Sequence, residues 1–97
     1  MTGAAASTEV RQQVTIVNKR GLHARASAKF VTAVSAMTGT EVRVTKDGHS
    51  AAGGSILGLM MLGAAKGDAV ELTVSGEAAE KRLAELVTLI EDGFGED

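Results

Sequence analysis

Two side chains of this 97-residue sequence are placed to do chemistry together: His23 and Arg25, within Gly21-Leu22-His23-Ala24-Arg25. The apolar periodicity that follows puts His23 between a glycine-containing turn and the first turn of a helix. Unpaired backbone N–H groups and the positive end of the macrodipole favour an anion there and disfavour imidazolium, so His23 is expected to be neutral and able to attack phosphorus. A phosphoryl group so attached would meet the N–H groups around Ala24 to Ala26, and the guanidinium of Arg25 would add a charge-assisted partner. Residues two apart on a helix do not face each other, so Arg25 helps only if its long side chain folds back around the helix end. The plainer reading is that His23 merely caps the helix, although Ser, Thr, Asp and Asn are the favoured capping types. The other histidine, His49, sits among polar neighbours after a hairpin turn and is expected to be exposed and without a role.

Composition narrows the chemistry further. Cys is absent, which excludes disulfides, thiolate metal sites and thiol catalysis. With two Phe and neither Tyr nor Trp, there is almost nothing on which bases or sugars could stack. A net charge of -2 argues against a nucleic-acid backbone as the main partner. No cofactor loop or metal-ligand set is visible, so neither a cofactor nor a metal is expected. The first residues lack the basic and apolar regions of a signal peptide, and no stretch of about 18 apolar residues could span a membrane, so a cytoplasmic, non-inserted protein is expected. Residues 1–8, small and uncharged, read as a loose tail on a single domain covering residues 9–97.

The elements that must position His23 follow from periodicity. Val10 to Val17 alternates as a strand, with Val14 and Ile16 on one face. From Ala24 to Met37, Ser27, Phe30, Val31, Val34 and Met37 form one stripe of a helix that stops near Gly39. Glu41 to Lys46 alternates, and Asp47-Gly48 signals a hairpin returning through His49 to Ala52. Val70, Leu72 and Val74 mark a fourth strand after the Lys66-Gly67-Asp68 turn. Glu77 to Glu91 carries Ala79, Leu83, Leu86, Val87 and Ile90 on one face of a last helix, with Gly93 as its stop. The order β-α-β-β-α-β-α suits an α+β domain, an antiparallel sheet with all helices on one side.

Between the hairpin and the fourth strand, Ser55 precedes Ile56-Leu57-Gly58-Leu59-Met60-Met61-Leu62-Gly63, the pattern of a short capped helix. Leu59 and Leu62 can face the core, which leaves Ile56, Leu57 and Met60 on other faces. Clustered beside the His23 helix end, they would form a docking patch, with flexible Met suited to serial partners. Ser55 serves as the cap on this reading.

The segment Asn18-Lys19-Arg20-Gly21-Leu22-His23-Ala24-Arg25 resembles the active-site segment of the HPr family, the histidine phosphocarriers of the bacterial phosphotransferase system. Ser55 to Gly63 is similar to the family's second motif, a regulatory Ser followed by a short apolar helix. The resemblance covers residues 10–93. It implies an open-faced β-sandwich of four antiparallel strands and three helices. It further implies a carrier, without turnover of its own, whose His23 takes a phosphoryl group from phospho-Enzyme I on Nδ1 and passes it to an enzyme II-type protein, Arg25 assisting. A monomer is expected. Ser55 resembles the Ser modified by an HPr kinase/phosphorylase, and a phosphate at a helix N-terminus is compatible with capping. Ala26 stands where the family usually has Pro; Ala leaves one more N–H donor and a less rigid helix entry. The ending Glu91-Asp92-Gly93-Phe94-Gly95-Glu96-Asp97 resembles the nitrogen-related branch, NPr, whereas Ser55 points to the sugar branch. Taken by itself, such an acidic ending is expected to be solvated.

Other classes of function compete with the carrier. A non-phosphorylated regulatory module could bind an anion or small metabolite at the helix N-termini near His23 and Gly53-Gly54-Ser55. An enzyme using His23 as a general base is a third possibility, but no carboxylate pairing identifies a triad.

Overall fold

The computed structural model describes residues 8–96. The expected tail at residues 1–8 lies outside the described residues except for Thr8, whose carbonyl accepts the Gly76 N–H at 3.1 Å. The elements run β1 (Glu9–Thr15), α1 (Ala24–Ser35), β2 (Thr40–Lys46), β3 (His49–Ala52), α2 (Ile56–Met61), β4 (Ala69–Gly76) and α3 (Ala79–Glu91), closed by a 3₁₀ turn at Gly93–Gly95.

All pairings in the sheet are antiparallel, in the order β1-β4-β2-β3. The central strand β4 shows why the helices gather on one face. Val70, Leu72 and Val74 are buried, whereas Glu71, Thr73 and Ser75 alternate with them on the open side. Packing the first set under α3 removes a continuous apolar stripe from water, at roughly 1.5–3 kcal/mol for each fully buried side chain of that size. Both Phe residues serve the same purpose: Phe30 of α1 and Phe94 of the last turn are each 1% exposed. The hairpin between β2 and β3 turns through Asp47 and Gly48, both at positive φ (50° and 83°), as its Asp-Gly pair requires. This is the α+β, open-faced sandwich that the sequence implied.

Boundaries differ from the periodicity in instructive ways. β1 ends at Thr15, yet Ile16 continues the pairing through its N–H to Asp68 O and its carbonyl from Gly67 N, so the apolar pattern outlasts the regular strand. α1 stops at Ser35 rather than Met37; Met37 stays buried because its N–H bonds Val34 O beyond the regular helix. α3 begins at Ala79 instead of Glu77, since Ala78 adopts the left-handed region at φ 54°, and the Glu77 carbonyl instead accepts the Thr40 hydroxyl at 2.9 Å. No helix among the described residues is long and apolar enough to cross a membrane.

The greatest departure is at the C-terminal end. Glu91 and Asp92 are exposed as a solvated ending would be, and Asp97 lies outside the described residues, but Gly93, Phe94 and Gly95 all sit at positive φ (64°, 57° and 74°) and turn the chain back toward the start of α1. Two glycines tolerate that conformation without cost, whereas Phe94 sacrifices roughly 1–2 kcal/mol for it. Burial of its ring offsets that cost, which charge counting along the sequence could not anticipate.

Candidate functional site

The site begins with a turn that only glycine can make. Gly21 sits at φ +61°, and a Cβ there would collide with the Ala64 carbonyl. The same carbonyl accepts the Leu22 N–H at 2.9 Å, so the loop after α2 pins the turn before His23. Asn18, 3% exposed, closes the turn from the other side: its Nδ2 donates to Gly21 O at 2.9 Å. Leu22 is buried and its carbonyl also accepts the Ser27 hydroxyl at 3.2 Å. The backbone entering α1 is therefore held on both sides of His23.

His23 is the N-cap of α1, with extended backbone (φ -75°, ψ -178°). Its Nδ1 accepts the Arg25 N–H at 3.3 Å. Capping and the candidate chemistry, set against each other in the sequence, coincide in one ring. The bond is long by the usual N–H···acceptor range of about 2.7–3.2 Å, so it holds the ring's direction while binding its lone pair weakly. The N–H groups of Ala24 and Ala26, in the first turn, have no carbonyl one helical turn behind them within α1. Ala26 itself is fully buried. The Arg25 side chain lies exposed and, among the described residues, makes no side-chain hydrogen bond.

The other ring nitrogen has a partner the sequence did not suggest. His23 Nε2 lies 2.8 Å from Glu96 Oε2, and both side chains are 17% exposed. The second oxygen of that carboxylate accepts Asn18 Nδ2 at 3.1 Å, and Lys29 Nζ donates to the Phe94 carbonyl at 2.7 Å. Partial burial pushes the Glu96 carboxyl up, but hydrogen bonds from Asn18 and His23, with the charge of His23 when its ring is protonated and that of Lys29, outweigh it and hold the carboxyl below its usual range. The one available signal for this contact was the Gly-Phe-Gly triplet: an aromatic between two permissive residues, in a chain with only two Phe, marks an anchored turn.

Ser55 is the N-cap of α2, its Oγ accepting the Gly58 N–H at 3.0 Å. Leu59 is fully buried and Leu62 packs partly against the core, leaving Ile56 at 41%, Leu57 at 68% and Met60 at 40% exposed. Met61, 78% exposed, joins them although periodicity did not single it out. Because α2 packs against α1 and its following loop holds the Leu22 N–H, this apolar surface belongs to the same end of the molecule as His23. His49 is exposed on β3, where it pairs with Lys46 of β2.

Known proteins share both the sequence and the fold. A family model described as the PTS HPr component phosphorylation site matches residues 10–92. The phosphocarrier protein HPr of Neisseria meningitidis serogroup A is 46% identical over 87 residues, which span 90% of this chain and 97% of the relative. The phosphocarrier protein NPr of Escherichia coli K12 is 34% identical over 88 residues, 91% of this chain and 98% of the relative. Among solved structures, HPr-C-His from Thermoanaerobacter tengcongensis superposes with a TM-score of 0.85 at 39% identity, covering 91% of this chain and 98% of that one. With the expected element order, the same sheet and this extent of identity, the chain belongs to the HPr family of phosphocarrier proteins of the phosphotransferase system.

Proposed function

We propose that His23 is the phosphoryl acceptor of this carrier, taking the group from phospho-Enzyme I on Nδ1 and passing it to a histidine of an enzyme II-type protein. The observation that carries this is the capping bond at 3.3 Å: Nδ1 presents its lone pair to a helix N-terminus. In the transfer, that pair attacks the phosphorus of the donor phosphohistidine. The bond from Nδ1 to phosphorus forms as the donor's N–P bond breaks, and the electron pair returns to the donor imidazole. No proton has to leave Nδ1, because an acceptor nitrogen carries none. The Arg25 N–H that met the lone pair is then free to bind a phosphoryl oxygen, together with the exposed Ala24 N–H. Arg25's exposed guanidinium is free to swing onto the same oxygens, where a positioned Arg is worth several kcal/mol in phosphoryl transfer.

Around this centre, Ile56, Leu57 and Met60 form the surface gripped by Enzyme I, and Ser55 at the base of the patch is a regulatory phosphorylation site for an HPr kinase/phosphorylase. The carrier acts in the cytoplasm as a monomer. Intact-mass measurement after incubation with phosphoenolpyruvate and Enzyme I tests the central claim. Wild type should gain one acid-labile phosphoryl group and His23→Ala none. An unchanged wild-type mass would favour the anion-binding module instead, and labelling that persists in His23→Ala would place the acceptor elsewhere.

A further inference from the structure

We infer that Glu96 is a positioning residue for phosphoryl transfer: its carboxylate holds the Nε2 proton of His23 and stabilises the positive charge that the ring acquires when Nδ1 is phosphorylated. The inference rests on the assignment of His23 as acceptor and adds a residue from the opposite end of the chain.

Two independent contacts assign the same proton. A neutral imidazole carries one N–H. Since Nδ1 accepts the Arg25 N–H, that proton belongs on Nε2, and Nε2 faces Glu96 Oε2 at 2.8 Å, where only a donor makes a favourable bond to a carboxylate. When Nδ1 forms its bond to phosphorus, the ring has three substituents on Nδ1 and keeps its proton on Nε2, so it becomes a phosphoimidazolium with a formal positive charge. A carboxylate already in hydrogen-bond contact stabilises that charge without reorganising. An acid behind an imidazole serves the same two purposes, tautomer and charge, in hydrolytic triads.

The contact is built rather than incidental. Both carboxylate oxygens are engaged, Oε1 by Asn18 Nδ2 at 3.1 Å, and Asn18 is the residue that also closes the Gly21 turn. The chain carrying Glu96 is anchored by the buried Phe94 ring and by Lys29 Nζ on the Phe94 carbonyl at 2.7 Å. The anchor lies just before Glu96 in the chain and is separate from the carboxylate itself. Substitution of Glu96 therefore leaves the fold in place.

Glu96→Gln keeps the length and one acceptor oxygen but removes the charge. In unphosphorylated wild type, NMR should show a slowly exchanging His23 Hε2 resonance shifted downfield, and Glu96→Ala should lose it. With phospho-Enzyme I, Glu96→Gln should lower the equilibrium constant for phosphoryl exchange roughly tenfold, the difference between a charged and a neutral acceptor, and slow acceptance in proportion, while the amide fingerprint of the fold is unchanged. Absence of the Hε2 resonance in wild type would overturn the inference, as would a wild-type equilibrium constant in both Glu96→Gln and Glu96→Ala. Failure of wild type to be phosphorylated at all would refute the carrier assignment of His23 instead, and the Hε2 measurement would still judge the contact.

Discussion

His23 Nε2 and Glu96 Oε2 meet at 2.8 Å although 73 positions separate them along the chain. The first caps the opening helix and the second follows the closing turn, so segments from the two ends of the domain meet at one contact. Because the carboxylate is shared with Asn18, the turn before His23 and the segment after α3 are joined through a single group.

That junction should respond to pH in one direction. Burial pushes the Glu96 carboxyl up, but its bonds to Asn18 and His23, the charge that His23 carries once protonated in acid and the charge of Lys29 dominate and depress it below 4.5. A carboxyl depressed in the folded state contributes its stabilisation fully above its unfolded value and loses it as pH falls through the folded one. The contact should therefore persist at neutral pH and down to about 4.5, and be lost below it. The Glu96 Cδ chemical shift followed by NMR checks this; a titration midpoint above that value would contradict it.

Arg25 should matter to transfer and not to folding, because its side chain is exposed and makes no side-chain hydrogen bond among the described residues. Arg25→Ala should slow phosphoryl acceptance by at least about tenfold, in line with the several kcal/mol a positioned Arg supplies, with an unchanged Tm. Rapid-quench rates beside thermal melts decide the point. Unaltered rates would remove Arg25 from the site.

Phe94 is expected to act as the anchor of the C-terminal segment. Phe94→Ala should destabilise the domain by roughly 3–5 kcal/mol, since Ala loses the buried ring but keeps the Cβ and its left-handed strain, and should also release Glu96 from His23. Denaturant unfolding measures the first effect and the His23 Hε2 resonance the second. A variant that loses stability but keeps the resonance would show that other contacts hold the segment.

Leu57, at 68% exposure, can carry a charge without harming the core. Leu57→Glu should keep a wild-type Tm yet weaken Enzyme I binding by an order of magnitude or more, since a buried unpaired carboxylate is costly at an apolar contact. Calorimetric titration against Enzyme I is the check, and wild-type affinity would show that the patch is not the docking surface.

For Ser55, structure and regulation separate by substitution. Ser55→Ala removes the oxygen that accepts the Gly58 N–H and should cost about 0.5–2 kcal/mol of stability with little effect on transfer. Ser55→Asp keeps an acceptor at the cap, holding stability, and should slow phosphorylation of His23 because a charge now borders the apolar patch. Equal transfer rates for wild type and Ser55→Asp would reduce Ser55 to a cap.

Much of this molecule was legible in its sequence because the decisive information was local. Alternation at Val70, Leu72 and Val74 marked a strand with one buried face, Asp47-Gly48 fixed a hairpin, and Ser55 before an apolar run marked a cap; each depends only on neighbours a few residues away. His23 at the start of a helix was readable for the same reason. Tertiary structure alone decided which oxygen meets Nε2. Glu96 lies in a short acidic ending whose charge by itself predicts solvation, and it reaches His23 only because Gly93 and Gly95 allow a left-handed turn and the hydrophobic gain at Phe94 pulls that turn into the core. Periodicity carries no information about such a contact. Its partners share no helix or strand, and the burial that brings them together exists only once the helices and the sheet have closed one common core.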